Sequence, residues 1–333
     1  MPSKGMGWAA SIVSAARRLA KLVAGGNAAI RLGAVGALLT IGAFTAWAKW
    51  GGLITNGSMY ALGADTLQVT PQPAWIHSDV KAEVLRDGSL TSASLLDPDL
   101  THQVVRAFEL HTWVAEVTSA GKRLEGGKPR MVVTVRYREP VIMVRARDPQ
   151  WEGDCFYPVD TEGIFLPPDE FSRTQTRNYL RVDANNALPV GPVGTPYGDP
   201  GVTGAAMIAQ TVQDSWKAAG LAWIVTQRDA KAEIARLEQT SYVLLPLGAS
   251  PDLWAKRTAT QLASTSAPDA PEVLWGRAPG YEDAGEAKAF AKAARLVQFV
   301  QKHGQIDQLP GDTSIDLRPA TGIQVNARGS AHP

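Results

Sequence analysis

The longest run of apolar residues begins early in the chain, and positively charged residues border it. Residues 32–48 contain no charged side chain, and Arg31 and Lys49 flank them. A helix of this length spans about 25 Å, which approaches the thickness of a bilayer core once the flanking cations snorkel. The pattern predicts a transmembrane helix over residues 32–50; a buried core helix and a cleaved signal peptide are the alternatives. The predicted anchor positions are Leu32, Leu38, Leu39, Ile41, Phe44 and Trp47.

The chain before this helix is basic and amphipathic. No acidic residue occurs before Asp65, and the tail over residues 1–31 carries five lysines and arginines. Such an asymmetry predicts that the tail lies in the cytoplasm and that the remainder lies outside the membrane. Apolar residues of the tail fall on one helical face and cations on the other, which indicates a helix on an anionic leaflet. The alternative is that the charges only fix the topology.

The first region outside the membrane alternates between strand and helix signals. After a linker of small residues over 51–64, residues 66–70 form a strand candidate, and a helix begins near Asp79. Asp97 and Pro98 then have the chemistry of a second helix start. Residues 113–117 and 131–137 follow the period of strands, with a polar loop predicted over 121–129 between them. The order over residues 65–140 is strand, helix, helix, strand, strand, which a small sheet with two helices satisfies.

The second region, residues 141–326, is richer in strands. Residues 156–159 and 164–166 flank Asp160-Thr161-Glu162-Gly163, which predicts a hairpin. A helix is predicted over residues 205–219, and residues 223–247 indicate a run of antiparallel strands. A second helix is predicted over 286–302, and short strands over 315–317 and 323–325. The pattern predicts an α+β protein whose larger domain is a mostly antiparallel β-sheet with flanking helices, followed by a flexible tail over 327–333.

Charge and cysteine content narrow the classes of function. Once the six basic residues before Gly51 are removed from the total of 33, 27 basic residues stand against 32 acidic ones, a formal charge of about −5. A body of that charge does not indicate nucleic-acid binding, which requires a basic face. The single cysteine, Cys155, excludes an intramolecular disulfide.

The sequence contains no local motif for catalysis or for a cofactor. His102 and His111 lie too far apart for a shared metal site on one helical face, and no His-Glu-x-x-His motif occurs. Gly248-Ala249-Ser250 lacks the second glycine of a nucleophile elbow. The glycine-rich loop over residues 191–204 lacks the lysine of a phosphate-binding loop. The sequence therefore predicts a protein that is not an enzyme, with no cofactor, metal or small-molecule substrate, although a site assembled from distant residues stays open.

Several short motifs, taken in order, resemble the FtsQ/DivIB family of bacterial division proteins. Trp113-Val114 stands where that family opens the second strand of its POTRA domain, and Glu139-Pro140 where the domain ends. Residues 157–167 resemble the hairpin that begins the family's next domain. Residues 315–318, Ile-Asp-Leu-Arg, and residues 322–325, Gly-Ile-Gln-Val, resemble its C-terminal strands. Pro319 departs from the family pattern, because an aromatic residue often follows the arginine there.

The resemblance implies a POTRA-like domain at 65–140 and an FtsQ-type β domain at 141–326. It further implies a scaffold of the divisome in the cytoplasmic membrane, which receives the FtsB- and FtsL-like partners by strand addition. The alternatives are a general envelope POTRA protein for secretion or outer-membrane assembly, and a membrane-tethered hydrolase.

The predicted partner-binding edge comprises the two C-terminal strand candidates. Unpaired backbone groups at such an edge invite an added strand, whereas internal, fully paired strands are the alternative. Trp275 is either an exposed anchor of the same face or a core residue. The edge residues are Ile315, Asp316, Leu317, Arg318, Ile323, Gln324 and Val325.

Overall fold

The computed structural model describes residues 28–55, 60–147, 153–228, 236–260 and 270–327. Most of the basic tail, the end of the C-terminal tail and part of the predicted run of strands over residues 223–247 lie outside the described residues. The described chain contains six α-helices and eleven strands. The predicted α+β class is confirmed, and the elements are numbered below in chain order.

The first helix, α1 (Ala28–Thr55), has 28 residues and contains the predicted anchor positions. Five large apolar side chains between Val35 and Phe44 are exposed, among them Leu39 at 69% and Phe44 at 73%. None of the helices in the described ranges meets the combined length and hydropathy requirement of a membrane span.

The next elements follow the predicted order of strand, helix, helix, strand, strand. They are β1 (Leu67–Val69), α2 (Val80–Asp87), α3 (Leu100–Glu109), β2 (Val114–Glu125) and β3 (Lys128–Tyr137). The three strands form a sheet in the order β1-β3-β2.

The predicted polar loop over residues 121–129 is wrong. Gly126 and Gly127 both have positive φ, 57° and 77°, and they form the two-residue turn of a long β2–β3 hairpin. Two successive positive φ values suit the right-handed twist of a hairpin, which explains why glycine occupies both positions.

Eight further strands form one sheet in the order β11-β10-β9-β8-β7-β6-β4-β5. The strands are β4 (Pro140–Ala146), β5 (Cys155–Asp160), β6 (Leu180–Asp183), β7 (Leu221–Arg228), β8 (Thr240–Pro246), β9 (Glu272–Arg277), β10 (Thr313–Asp316) and β11 (Gln324–Ala327). The helices of this region are α4 (Pro200–Thr211), α5 (Pro251–Thr260) and α6 (Ala289–His303).

The large sheet is mixed: antiparallel pairs are the majority, as predicted, but three pairs are parallel, which was not predicted. The pairs β4–β6, β6–β7 and β9–β10 are parallel, and the other four pairs are antiparallel. Parallel neighbours need a crossover connection rather than a tight turn. Helix α4 lies in the chain between β6 and β7, and α6 lies between β9 and β10, so both helices are crossovers.

Side chains that alternate along these strands divide the sheet into two apolar faces. One face packs with α4 and α6 around the main core, which includes Val182, Ile224, Leu244 and Leu296. The opposite face carries a smaller cluster around Trp223 and Leu245, to which α5 contributes Trp254.

Chain contacts divide the molecule into two compact units. The first takes the described parts of Met1–Gln68, Leu85–Val104 and Gly121–Val132; the second takes those of Val69–Val84, Val105–Ala120 and Val133–Pro333. The second unit contains the whole eight-stranded sheet and the candidate site.

Candidate partner-binding edge

The outer strand β5 closes one side of the large sheet. Pro158 has no N–H group with which to pair an added strand. The chain then turns at Gly163 and runs back along β5, where Leu166 N donates to Pro158 O at 2.9 Å. A bridge between Val159 and Phe165 continues this return. The predicted hairpin is confirmed, and its second arm covers the outer side of the β5 edge from Pro158 onward.

The other outer strand, β11, is short and lies at the end of the sheet. It pairs antiparallel with β10, and the register joins Ile315 to Val325 and Asp316 to Gln324. All four residues of β11 are exposed, and Val325 keeps 53% of its surface. In the described chain β11 ends the strand order, so one of its sides is turned away from the sheet.

The predicted edge residues therefore divide into two groups. β10 lies between β9 and β11, and Ile315 and Leu317 are fully buried in the main core. Of the two predicted strands, the one that includes Gln324 and Val325 is outermost. Ile323 is half-buried and packs against the core just before β11.

The connection between β10 and β11 is fixed by hydrogen bonds from α6 and from the segment before it. Arg295 donates through Nη1 to Pro319 O and through Nη2 to Ala320 O, both at 2.6 Å. Longer bonds of 3.4 and 3.5 Å join Nη1 to Leu317 O and Gly322 O. The planar guanidinium fork suits several carbonyl acceptors at once. Arg295 therefore holds the turn that leads into the edge strand.

The same turn pairs with residues that precede α6. Ala287 N donates to Arg318 O at 2.7 Å, and Ala320 N donates to Gly285 O at 3.1 Å. A bridge between Glu286 and Pro319 lies between these two bonds. Pro319 thus occupies a position at which its missing N–H leaves this ladder intact.

Arg318 and Asp316 form an ion pair at the end of β10. Arg318 Nη2 lies 2.6 Å from Asp316 Oδ2, and its backbone N–H also donates to Asp316 at 2.9 Å. Burial alone raises the pKa of Asp316, but the hydrogen bonds and the charge of Arg318 outweigh it and hold the pKa below its usual value. The aspartate and arginine of the Ile-Asp-Leu-Arg motif thus serve the local structure of the strand end.

A buried charged pair lies beneath this strand end. Lys292 is fully buried, and its Nζ lies 2.6 Å from Glu286 Oε1. Burial lowers the pKa of Lys292, which Glu286 opposes in part. Glu286 also accepts from the backbone N–H groups of Arg277 and Asp283, at 2.9 and 3.0 Å. The carboxylate therefore joins the end of β9 to the start of α6.

Trp275 is a core residue in this structure. Its side chain is completely buried, and the Lys292 ammonium lies 5.3 Å from the centre of its ring. It does not present a surface to a partner. Among the residues predicted for the site, Arg318, Gln324 and Val325 are exposed.

Three residues that hold the edge were not singled out from the sequence: Glu286, Lys292 and Arg295. The predicted helix over 286–302 begins in fact at Ala289. Lys292 lies at helical spacing from the buried positions 289, 296 and 299. This spacing indicates that the lysine is buried as well. Arg295 carried no such signal, because its acceptors are carbonyl groups more than twenty residues away.

The residues considered for chemistry are not brought together. His111 contacts Glu83 at 3.0 Å, and Cys155 is a half-buried free thiol at the start of β5. Within the described ranges, no three histidine, cysteine or acidic side chains are placed to hold a metal ion. No protein-family model matches the chain, and none of the curated proteins matches it.

Proposed function

We propose that the chain is a bitopic, non-enzymatic scaffold of the bacterial divisome. In this proposal the tail lies in the cytoplasm, α1 crosses the cytoplasmic membrane, and the rest binds other bitopic division proteins outside. The observation that carries the proposal is the contrast between the two outer strands. β5 is covered by its own hairpin from Pro158 onward, whereas β11 is exposed and its preceding turn is held by Arg295.

An edge strand that is already ordered suits strand addition better than a mobile one. A partner strand gains backbone hydrogen bonds when it pairs with the edge. The free energy gained is smaller if binding must also order the receiving strand. The bonds from Arg295 and the ladder with residues 285–287 fix the approach to β11 before a partner arrives. We infer that the partners are FtsB- and FtsL-like proteins, whose extracytoplasmic segments add a strand at β11.

The surface of α1 supports its place in lipid. Successive helical residues are rotated by about 100°, so Val35, Leu38, Leu39, Ile41 and Phe44 point in different directions around the axis. All five side chains are exposed. The five directions span about 220° of the circumference, and so broad an exposed apolar surface needs an apolar environment. At about 1.5 Å per residue, its 28 residues are long enough to cross a bilayer core of about 30 Å.

The proposal is tested with a fluorescent fusion of the full chain in the bacterium from which it comes. We expect fluorescence at the division site, together with co-purification of small bitopic coiled-coil proteins. A truncation after Gly322, which removes β11, should stay in the membrane and lose those partners. Uniform membrane fluorescence would contradict the proposal. Recovery of secretion or outer-membrane assembly components instead would favour a general envelope POTRA protein.

A further inference from the structure

A row of apolar side chains crosses the large sheet from one outer strand to the other. Each residue of the row is paired in register with the next one, so all of their side chains lie on the main-core face. The six members from Val144 to Ile315 are completely buried, whereas Val325 keeps 53% of its surface. From β5 to β11 the row is Tyr157, Val144, Val182, Ile224, Leu244, Val273, Ile315 and Val325.

At the β5 end, the chain itself continues this row. The ring of Phe165, on the return arm of the hairpin, meets the ring of Tyr157 edge-on, and 5.5 Å separate the ring centres. Phe165 is only 6% exposed, and the ring of Tyr197 lies beyond it at 6.1 Å. A segment outside the outermost strand thus buries this end of the row with a large apolar side chain. At the β11 end, a partner segment can make the same contribution beside Val325.

The opposite face of the last two strands is polar. The pairs that alternate with the apolar row are Ser314–Asn326 and Asp316–Gln324. Ser314 is buried, and its Oγ donates at 3.1 Å to Oε1 of Glu272, which is paired with it on β9. Gln324 and Asn326 are exposed, and each side-chain amide offers both donors and an acceptor. A strand beside β11 therefore meets an apolar side chain at one position and an amide at the positions before and after it.

We propose that the segment received by β11 is an extended strand in which polar and apolar residues alternate. Its apolar side chain lies beside Val325 and extends the apolar row, and its polar side chains lie beside Gln324 and Asn326. This inference rests on the proposed function, because it describes the strand that a partner adds at β11.

The alternation also fixes the register of the added strand. A slip by one residue moves every side chain of a strand to the other face. The slipped strand would place a polar group at the end of the apolar row and an apolar group against the amides. Side chains that lie opposite each other across two strands interact most strongly. Val325 is therefore a residue that determines the specificity of the edge.

The test measures the binding of labelled synthetic peptides to the full-length protein in mild detergent by fluorescence anisotropy. One peptide has a Thr-Val-Thr-Val-Thr core between pairs of lysines. The other has threonine in place of both valines, so the two peptides have the same charge and nearly the same shape. We expect the valine peptide to bind about tenfold more tightly, because threonine would bury a hydroxyl group beside Val325.

A variant of the protein then assigns this preference to one side chain. Val325→Thr removes the apolar neighbour, so the two peptides should bind to it within about twofold of each other. Val190→Thr makes the same substitution at a position that is 82% exposed and should keep the preference for valine. Because Val325 is half exposed and its replacement has the same shape, the variant tests the contact and leaves the fold intact.

The same measurements can overturn the inference. Equal binding of the two peptides to the original protein would do so, as would a valine preference that survives in Val325→Thr. Failure of the valine peptide to bind, or dimers of the chain that the peptide does not separate, would also count against it. The proposed function is judged independently, by the partners lost on truncation after Gly322, and it can stand while the side-chain pattern fails.

Discussion

Replacement of Arg295 by glutamine should loosen the edge strand without unfolding the sheet. The substitution removes the guanidinium that joins α6 to the turn between β10 and β11. β10 remains paired with β9, and Ile315, together with Leu317 just after β10, remains in the core. The loss is therefore confined to the turn and to β11, which pairs on one side with β10.

The size of the effect follows from the bond lengths. The two bonds at 2.6 Å, to Pro319 O and Ala320 O, have good distances, whereas the two at 3.4 and 3.5 Å contribute little. A hydrogen bond from a charged group contributes about 1.5–3 kcal/mol, and partial exposure of Arg295 favours the lower end. Two such bonds at the lower end amount to about 3 kcal/mol, which raises the population of the opened strand by roughly 150-fold.

Hydrogen exchange followed by mass spectrometry measures this population directly. In Arg295→Gln, peptides that cover residues 318–327 should exchange faster by about that factor, while peptides from β4 to β8 should not change. Lys302→Gln removes an exposed cation from the same helix and serves as the control. Exchange of β11 at the original rate in Arg295→Gln would refute the assignment of Arg295 as the residue that holds the edge.

Three further outcomes follow from the charged pair, the acidic groups and one glycine. Lys292→Met breaks the buried pair with Glu286 and should cost about 3 kcal/mol in denaturant unfolding, whereas Lys288→Met at an exposed position should cost little. Gly276→Ala combines a φ of 88° with overlap on the Glu286 carboxylate, so it should destabilise the protein more than Gly280→Ala, whose φ is 86° in open space. Five carboxyl groups have a pKa below the ordinary value because hydrogen bonds and nearby cations outweigh burial. Their stabilisation is present above about pH 4.5 and is lost as the pH falls through their lowered pKa values, so unfolding measured at pH 3 and pH 6 should show a weaker fold at pH 3. The five groups are Glu162, Glu170, Asp252, Glu282 and Asp316.

Local patterns predicted most of the elements because each has a short-range signal. The hairpin at Asp160–Gly163 was identified from its turn residues, and its glycine has a φ of 80°. The alternation over residues 131–137 predicted a strand, which β3 confirms. The tip of the β2–β3 hairpin was not predicted. There the strands continue beyond the alternating apolar residues, through polar side chains and Gly121, and the sequence pattern assigned this part to a loop.

The position of a strand within a sheet has no comparable local signal. β10 and β11 are both short, and a pattern of four residues does not tell which one is outermost. That order depends on pairing between β9 and β10, which are separated by α6 in the chain. Arg295 was missed for the same reason, since its role depends on carbonyl groups that only the fold brings close.

The central claim is that β11, rather than β10, receives the partner strand. A photo-crosslinking scan in cells of the organism from which the chain comes tests it, with a crosslinking amino acid placed at Ile315, Leu317, Ile323, Gln324 and Val325 in turn. We expect adducts with a small bitopic partner from Gln324 and Val325, which are exposed, and none from Ile315 or Leu317, which are buried. The absence of any partner adduct from β11, or adducts from Ile315 and Leu317 alone, would contradict the account.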